Sequence, residues 1–425
     1  MDETILIEGL AYISGLLKRV QILIEGPYIV EIGKSIPHYV ADRVINFHKK
    51  GLVILPGMID IHVHMRDFRL SYKEDFYTGT AAAAAGGVTI VVDMPNTLPS
   101  VNNLEILKLR DWLASTRAIV DYGLYYGVPE RAAELQGYEK VAVGMKVYPE
   151  DLCKECLSKV LEYNSQRKIL TIFHAEDPSY KGKEHTPISE LRAVTQVLKL
   201  TSKMNLKSHI THVTLSQSID MIRVKIPEVT VDTCPHYILL SEKYRSTRYY
   251  RVNPPLRAES CRRELLKYLI DGKIDILSTD HAPHTLEEKL ELERPGFPGL
   301  ETALPLMLTL IARGVIGLDR LVKLYSMRPA RLLGLNNITG KIAKGYYANL
   351  TVVDLKREWR IDPQNFLSRA KHSPFENWKI RGKVHATFVR GAIVYENGDI
   401  TTHWGYGVNV KTYKPPPLSL PSSNQ

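Results

Sequence analysis

The apolar positions of this 425-residue chain fall into short, mostly β-branched runs separated by helical patterns. Leu52 to Leu55 leads through Pro56-Gly57-Met58-Ile59 into Asp60-Ile61-His62-Val63-His64-Met65-Arg66, which reads as a buried strand. Val88 to Asp93, Val141 to Met145, Ile169 to Phe173, His209 to Thr211, Val229 to Cys234 and Ile274 to Thr279 continue the series. Each run leads into a polar group: Asp93 before Met94-Pro95-Asn96, then Lys146, His174, His212, Pro235-His236 and Asp280. Between the runs, Ala193, Val197, Leu200 and Met204 recur at helical spacing, as do Ile106, Leu109 and Leu113. That periodicity predicts helices with one apolar face.

Strand-helix alternation of this kind predicts an α/β fold, a parallel (β/α)8 TIM barrel over residues 56–340. The flanks differ. Residues 1–55 hold Thr4-Ile5-Leu6-Ile7, Val20 to Ile24 and Tyr28 to Ile32, broken by Gly and Pro. Residues 341–410 hold the similar runs Asn349 to Asp354, Lys383 to Arg390 and Gly391 to Tyr395. Together they predict a small β-sandwich domain built from both chain ends. Residues 411–425, with Pro415-Pro416-Pro417 and Ser422-Ser423, predict an extended tail.

On a strand, alternate side chains share a face, so His62 and His64 point the same way and can grip one metal ion. Arg66 has the same parity and would reach a substrate anion beside that metal if the strand continued to it. TIM barrels carry their functional residues at the C-terminal strand ends. Six candidate metal ligands fall there: His62, His64, Lys146, His174, His212 and Asp280. Four imidazoles and a carboxylate suit zinc, manganese or cobalt. They exceed what one catalytic ion with an open position needs, whereas two ions about 3.5–4 Å apart would use them all. An ammonium cannot ligate, but the carbamate formed with carbon dioxide can; placement on the same rim as four histidines favours the carbamate over a lysine paired to an acid or a Schiff-base lysine. Asp280 can act as general acid/base on the reacting water and leaving group, or else cap the next helix. Arg66, Asn96, Asn253 and His284 are the remaining polar candidates, and Gly296 to Thr302 is a loop whose backbone could touch a substrate. Arg257 reads equally as an anion contact or a structural residue, and His281 as structural.

Composition narrows the function. With 44% hydrophobic and 24% charged residues the chain is an ordinary globular protein. Its formal net charge is +10, but it has no basic run with interleaved aromatics, which argues against nucleic acid and for capture of small dianions. The longest apolar run, Leu304 to Ala312, falls far short of the roughly 20 residues that span a bilayer. Met1 to Leu10 carries Asp2, Glu3 and Glu8 rather than a basic signal region, so a cytoplasmic location is expected. Cys153 and Cys156 form the single C-x-x-C, which argues against a four-thiolate zinc site and leaves a disulfide as the minor alternative to plain thiols.

The ordered stretches Asp60 to Arg66, Asp93 to Thr97, Gly144 to Tyr148, Phe173 to Glu176, His209 to Val213, Cys234-Pro235-His236, Val252 to Leu256, Ser278 to His284, Pro295 to Thr302 and Ser373 to Glu376 resemble the amidohydrolase superfamily. Within it they resemble the class I-like dihydroorotase family. The resemblance implies a metal-bearing barrel that interconverts N-carbamoyl-L-aspartate and L-dihydroorotate in pyrimidine biosynthesis. It implies zinc as two ions bridged by N6-carboxylated Lys146, with a metal-held hydroxide and Asp280 as general acid/base. The same six residues are then the metal shell. Arg66, Asn96, Asn253 and His284 become substrate contacts, with Pro298 and Gly299 supplying backbone. It also implies a homo-oligomer or association with aspartate transcarbamoylase. Tyr148 to Cys156 departs from the family pattern, so no gating residue is assigned there. The rival readings are allantoinase, a dihydropyrimidinase or hydantoinase-type enzyme, and an inactive assembly partner; Arg66 and Asn96 argue against the first two, and the complete ligand set against the third.

Overall fold

The structure, a computed structural model, describes residues 3–180, 186–246 and 249–414; the part of the expected tail from Pro415 onward lies outside them. Eight strands run parallel: β1 (Met58–Val63), β2 (Val88–Asp93), β3 (Asp121–Gly127), β4 (Gly144–Val147), β5 (Leu170–Phe173), β6 (Lys207–Ile210), β7 (Thr230–Thr233) and β8 (Ile276–Leu277). They are hydrogen-bonded in that order. A parallel bridge from Val63 to His281 returns β8 to β1, and the His64 N–H donates to the His281 carbonyl at 2.8 Å. The ring is thereby nearly closed, and its strand ends converge on one mouth. Alternate strand positions feed two apolar clusters, Ile59, Ile61, Ile90 and Val92 in one and Met58 and Val91 in the other, as a period of two requires.

Two features differ from the sequence pattern. β3, Asp-Tyr-Gly-Leu-Tyr-Tyr-Gly, is fully buried but was not among the expected runs, because it uses tyrosine and glycine where its neighbours use β-branched residues. The helix Leu104–Arg117 buries Leu107, Arg110 and Ala114, not the stripe Ile106, Leu109 and Leu113; Leu109 is 44% exposed and Trp112 60%. The guanidinium decides the rotation: Arg110 Nε and Nη2 donate to Asp93 Oδ2 at 3.0 and 2.7 Å from inside the protein. In the helix Pro187–Met204 the expected Ala193 and Val197 are buried, but the buried face extends toward Glu190, Val194, Leu198 and Thr201, leaving Leu200 and Met204 half-buried. Glu190 accepts from Ser218 Oγ at 2.7 Å, and that polar anchor selects the face.

Both chain ends share one mostly antiparallel sheet of nine strands among the described residues. Thr4–Ile13, Leu16–Glu25, Tyr28–Gly33, Arg43–Asn46 and Val53–Pro56 come from the first end, and Leu350–Arg360, Lys379–Val389, Ala392–Glu396 and Asp399–Ile400 from the second. The ends meet where Val53–Pro56 pairs with Leu350–Arg360. The sheet has its own apolar core around Ile7, Ile22, Ile54, Val352 and Phe388. Gly57 carries the chain from this sheet into β1, and a Cβ there would lie 2.4 Å from Thr89 Oγ1, so only glycine fits. Arg390 Nε, on the sheet side, donates to both oxygens of Asp121 at 3.1 and 3.0 Å, tying the sheet to β3. Val410–Thr412 forms a helical turn, and the Tyr413 hydroxyl donates to Asp121 Oδ2 at 2.5 Å, so the chain is packed as far as these residues. Among the described residues no helix is long and apolar enough to cross a membrane.

Candidate active site

β1 ends at Val63, short of Arg66, and the chain turns through Arg66, Asp67 and Phe68 with φ of 51, 56 and 47°. Asp93 makes this turn, since its Oδ1 accepts the Met65 N–H at 2.8 Å while Arg110 holds its other oxygen. Arg66 reaches the mouth by this loop instead of along the strand. Its Nε donates to the Pro283 carbonyl and its Nη2 to His284 Nε2, each at 3.2 Å. With Nε2 accepting, His284 Nδ1 donates to Glu288 Oε2 at 3.1 Å. Burial, then the charges of Arg66 and Lys73, lowers the His284 pKa to about 3, so the ring is neutral.

His62 Nε2 and His64 Nε2 lie 3.4 and 3.1 Å from Asp280 Oδ1. Ligand atoms of these three residues are all within 4.8 Å of one another. Asp280 has φ 49°, a strained backbone that aims its side chain at the mouth. It caps no helix; Thr285 caps Leu286–Leu290. His212, with φ 41°, brings its ring within 5.1 Å of His62 and 4.3 Å of His174, centroid to centroid. His174 Nε2 is 2.7 Å from Glu176 Oε2. Lys146 is fully buried on β4, and its Nζ has no hydrogen-bond partner among the described residues. Burial lowers its pKa to about 7.

The donor set fits a cation. Asn96 Oδ1, an acceptor, lies 2.7 Å from His64 Nδ1, so that nitrogen carries the proton and Nε2 presents a lone pair. Thr211 Oγ1 gives its one proton to Asp232 Oδ2 at 2.8 Å and therefore accepts from His62 Nδ1 at 2.6 Å, leaving His62 Nε2 bare as well. Burial, reinforced for His62 by Lys146, holds His62 well below the ordinary imidazole range, and burial lowers His64 too, so neither ring takes a second proton readily. Two lone pairs and a carboxylate oxygen thus converge with no proton between them. A metal ion satisfies all three. With its pKa near 7, the buried amine of Lys146 is charged only in part at neutral pH.

The mouth opens into a cavity of about 370 Å³ whose wall includes His62, His64, Arg66, Asn96, His174, His212, Asn253, Asp280 and His284. Lys146 is not on the wall. Pro298 and Gly299 are not on it either, and the wall there is formed by Arg294, Pro295 and Gly296. The Gly299 N–H instead donates to His281 Nδ1 at 3.2 Å, which gives buried His281 its structural part. Arg257 also turns away: its Nε donates to Thr214 Oγ1 at 2.8 Å and its Nη2 to Glu190 at 3.5 Å. Cys153 and Cys156 are free thiols that do not line the cavity. The sequence reading missed Tyr148, Glu176 and Arg294, which also line the wall. Glu176 had a signal, two residues after His174; Tyr148 and Arg294 sit in loops without one.

A model of the amidohydrolase family matches residues 53–394. The dihydroorotase of Pyrobaculum aerophilum is 39% identical over 408 residues, covering 94% of this chain and 98% of its own. The dihydroorotase of Pyrococcus abyssi is 36% identical over 389 residues, covering 89% and 93%. Among solved structures, L-hydantoinase (dihydropyrimidinase) from Arthrobacter aurescens superposes with TM-score 0.88 at 26% identity, covering 96% of this chain and 99% of the other. Dihydropyrimidinase from Brevibacillus agri gives 0.85 at 25%, covering 96% and 98%. Since the match runs from the last strand of the first chain end, through the whole barrel, to the sheet of the second, the chain belongs to the amidohydrolase family.

Proposed function

We propose that this protein is a dihydroorotase, interconverting N-carbamoyl-L-aspartate and L-dihydroorotate plus water in de novo pyrimidine biosynthesis. The observation that carries the reading is the anion grip beside the hydrolytic carboxylate: Arg66, hydrogen-bonded to His284, on the same cavity wall as Asp280. L-dihydroorotate presents a ring carboxylate to such a grip; hydantoin and allantoin present none. The curated relatives named dihydroorotase support the same substrate.

In the hydrolytic direction water adds to the ring amide carbonyl and the carbon–nitrogen bond breaks. Burial raises the Asp280 carboxyl, but the imidazoles of His64, at 3.1 Å, and of His236 outweigh it and lower its pKa, so the group is ionised and can take the water's proton. It then delivers that proton to the leaving nitrogen. In the biosynthetic direction protonated Asp280 helps expel water as the ring closes. Arg66 and Asn96 hold the substrate carboxylate, and Asn253 and His284 complete the enclosure. His62, His64, His174, His212 and Asp280, with Lys146 as its N6-carboxylate, would hold zinc; the buried Lys146 amine, uncharged in part near neutral pH, suits addition to carbon dioxide. When bound, zinc polarises the carbonyl and makes water nucleophilic near neutral pH. The setting is cytoplasmic metabolism of a small molecule, without nucleic acid or membrane, in a homo-oligomer or with aspartate transcarbamoylase.

A hydantoinase-type activity is the second reading, favoured by the overlay with L-hydantoinase. A coupled assay on metal-quantified protein, with both substrates and with hydantoin and allantoin as controls, separates the two. Arg66→Ala should raise KM for L-dihydroorotate about 10–100-fold, the loss of a charge-assisted contact. Indifference to that change, or turnover of hydantoin alone, would favour the second reading.

A further inference from the structure

β7 carries none of the six candidate ligands, although it lies between β6, which leads to His212, and β8, which leads to Asp280. It carries Asp232, which is fully buried. Asp232 Oδ2 accepts from the Thr211 hydroxyl at 2.8 Å and lies 2.7 Å from His209 Nε2. Its Oδ1 accepts from the His212 N–H and from the Ser278 hydroxyl, each at 2.7 Å. His209 is held in turn by Thr230 Oγ1, 2.8 Å from its Nδ1. One carboxylate therefore touches the strand ends that lead to His212 and Asp280, and through the Thr211 hydroxyl it reaches His62.

We propose that Asp232 is the positioning residue of the metal cradle, acting through the Thr211 hydroxyl on His62 and directly on the backbone of His212. Rotor logic gives it a specific role. A hydroxyl has one proton; the Asp232 carboxylate, which can only accept, claims the proton of Thr211. Thr211 then offers His62 Nδ1 a lone pair, so the imidazole proton stays on Nδ1 and Nε2 faces the cavity bare. An amide at position 232 could turn an N–H toward Thr211 instead. The hydroxyl would then donate to His62 Nδ1, the ring proton would move to Nε2, and the ligand atom would be blocked. At His212 the same carboxylate anchors the strained φ of 41° that swings the ring toward His62 and His174. Partners of this kind around a ligating histidine contribute about 10–100-fold in metal affinity.

The inference rests on the metal reading of the site but not on any substrate, so its test reads metal binding. Wild type, Thr211→Val, Thr211→Ser and Asp232→Asn are stripped with a chelator and titrated with cobalt(II) in bicarbonate buffer. The dissociation constant and the visible absorption band of the bound cobalt are recorded. Thr211→Val, near in shape but without the hydroxyl, should weaken binding about 10–100-fold and alter the band, and Asp232→Asn should do the same. Thr211→Ser, which restores the hydroxyl, should bind within about threefold of wild type. Thr211→Val binding as tightly as wild type with an unchanged band would overturn the proposal. So would equal losses in Thr211→Val and Thr211→Ser, because packing and not the hydroxyl would then be at work. A wild type that takes up no cobalt would overturn the metal reading along with it, so the two failures are distinguishable.

Discussion

The barrel and the sheet built from the chain ends both pair acids with bases, but in opposite surroundings. In the barrel, Arg110 and Asp93 meet at 2.7 Å with side chains 0% and 2% exposed, and the guanidinium lies 4.3 Å above the Phe76 ring. In the sheet, Lys379 and Glu358 meet at 2.8 Å with side chains 64% and 52% exposed. Water screens the second pair and leaves it little net effect, whereas the first has lost its hydration and depends on its partner. The sheet owes its order to Ile7, Ile22, Ile54 and Phe388, apolar side chains without directional demands. The barrel mouth uses buried charge for direction. Asp93 bends the chain after His64, Asp232 orients His62 and His212, and Asp280 faces the cavity. Where angle matters more than area, this protein accepts the cost of burying charge.

That contrast can be broken at several points. Asp280→Asn, at the mouth, should lower kcat about 10²–10⁴-fold while metal analysis shows the metal retained. Activity within tenfold of wild type would remove Asp280 from the proton-transfer role. Arg110→Ala, one layer behind, leaves Asp93 buried without its partner and should cost about 3–5 kcal/mol in urea unfolding. A cost below about 1 kcal/mol would mean that water reaches the pair and that the contrast is false. Lys379→Ala, on the sheet, should leave the unfolding midpoint unchanged within error, and a clear loss would show that the sheet too depends on its charges.

Much of this was legible in the sequence, for reasons that can be named. Strand periodicity put His62 and His64 on one face, and each run before Lys146, His174, His212 and Asp280 pointed to a strand end. In a barrel all such ends share one mouth. What the sequence hid depends on pairing. Leu109 and Leu113 marked a helix face as well as Leu107 did, and only the position of Asp93 shows why Arg110 turns inward. Tyrosine-rich β3 lacked the aliphatic signature. Pro298 and Gly299 belong to a loop whose path is set by His281 and Thr279, not by its own composition.

The sequence by itself determined the order of elements, the faces of the strands and the residue types available at the mouth, because those follow from local periodicity and side-chain chemistry. Only the tertiary structure decided which nitrogen of His62 carries its proton, how Arg66 reaches the cavity and which helix face is buried. Each of those depends on a partner distant in the chain, Asp232, Pro283 or Asp93, and a hydrogen bond has no meaning until both of its ends have positions in space.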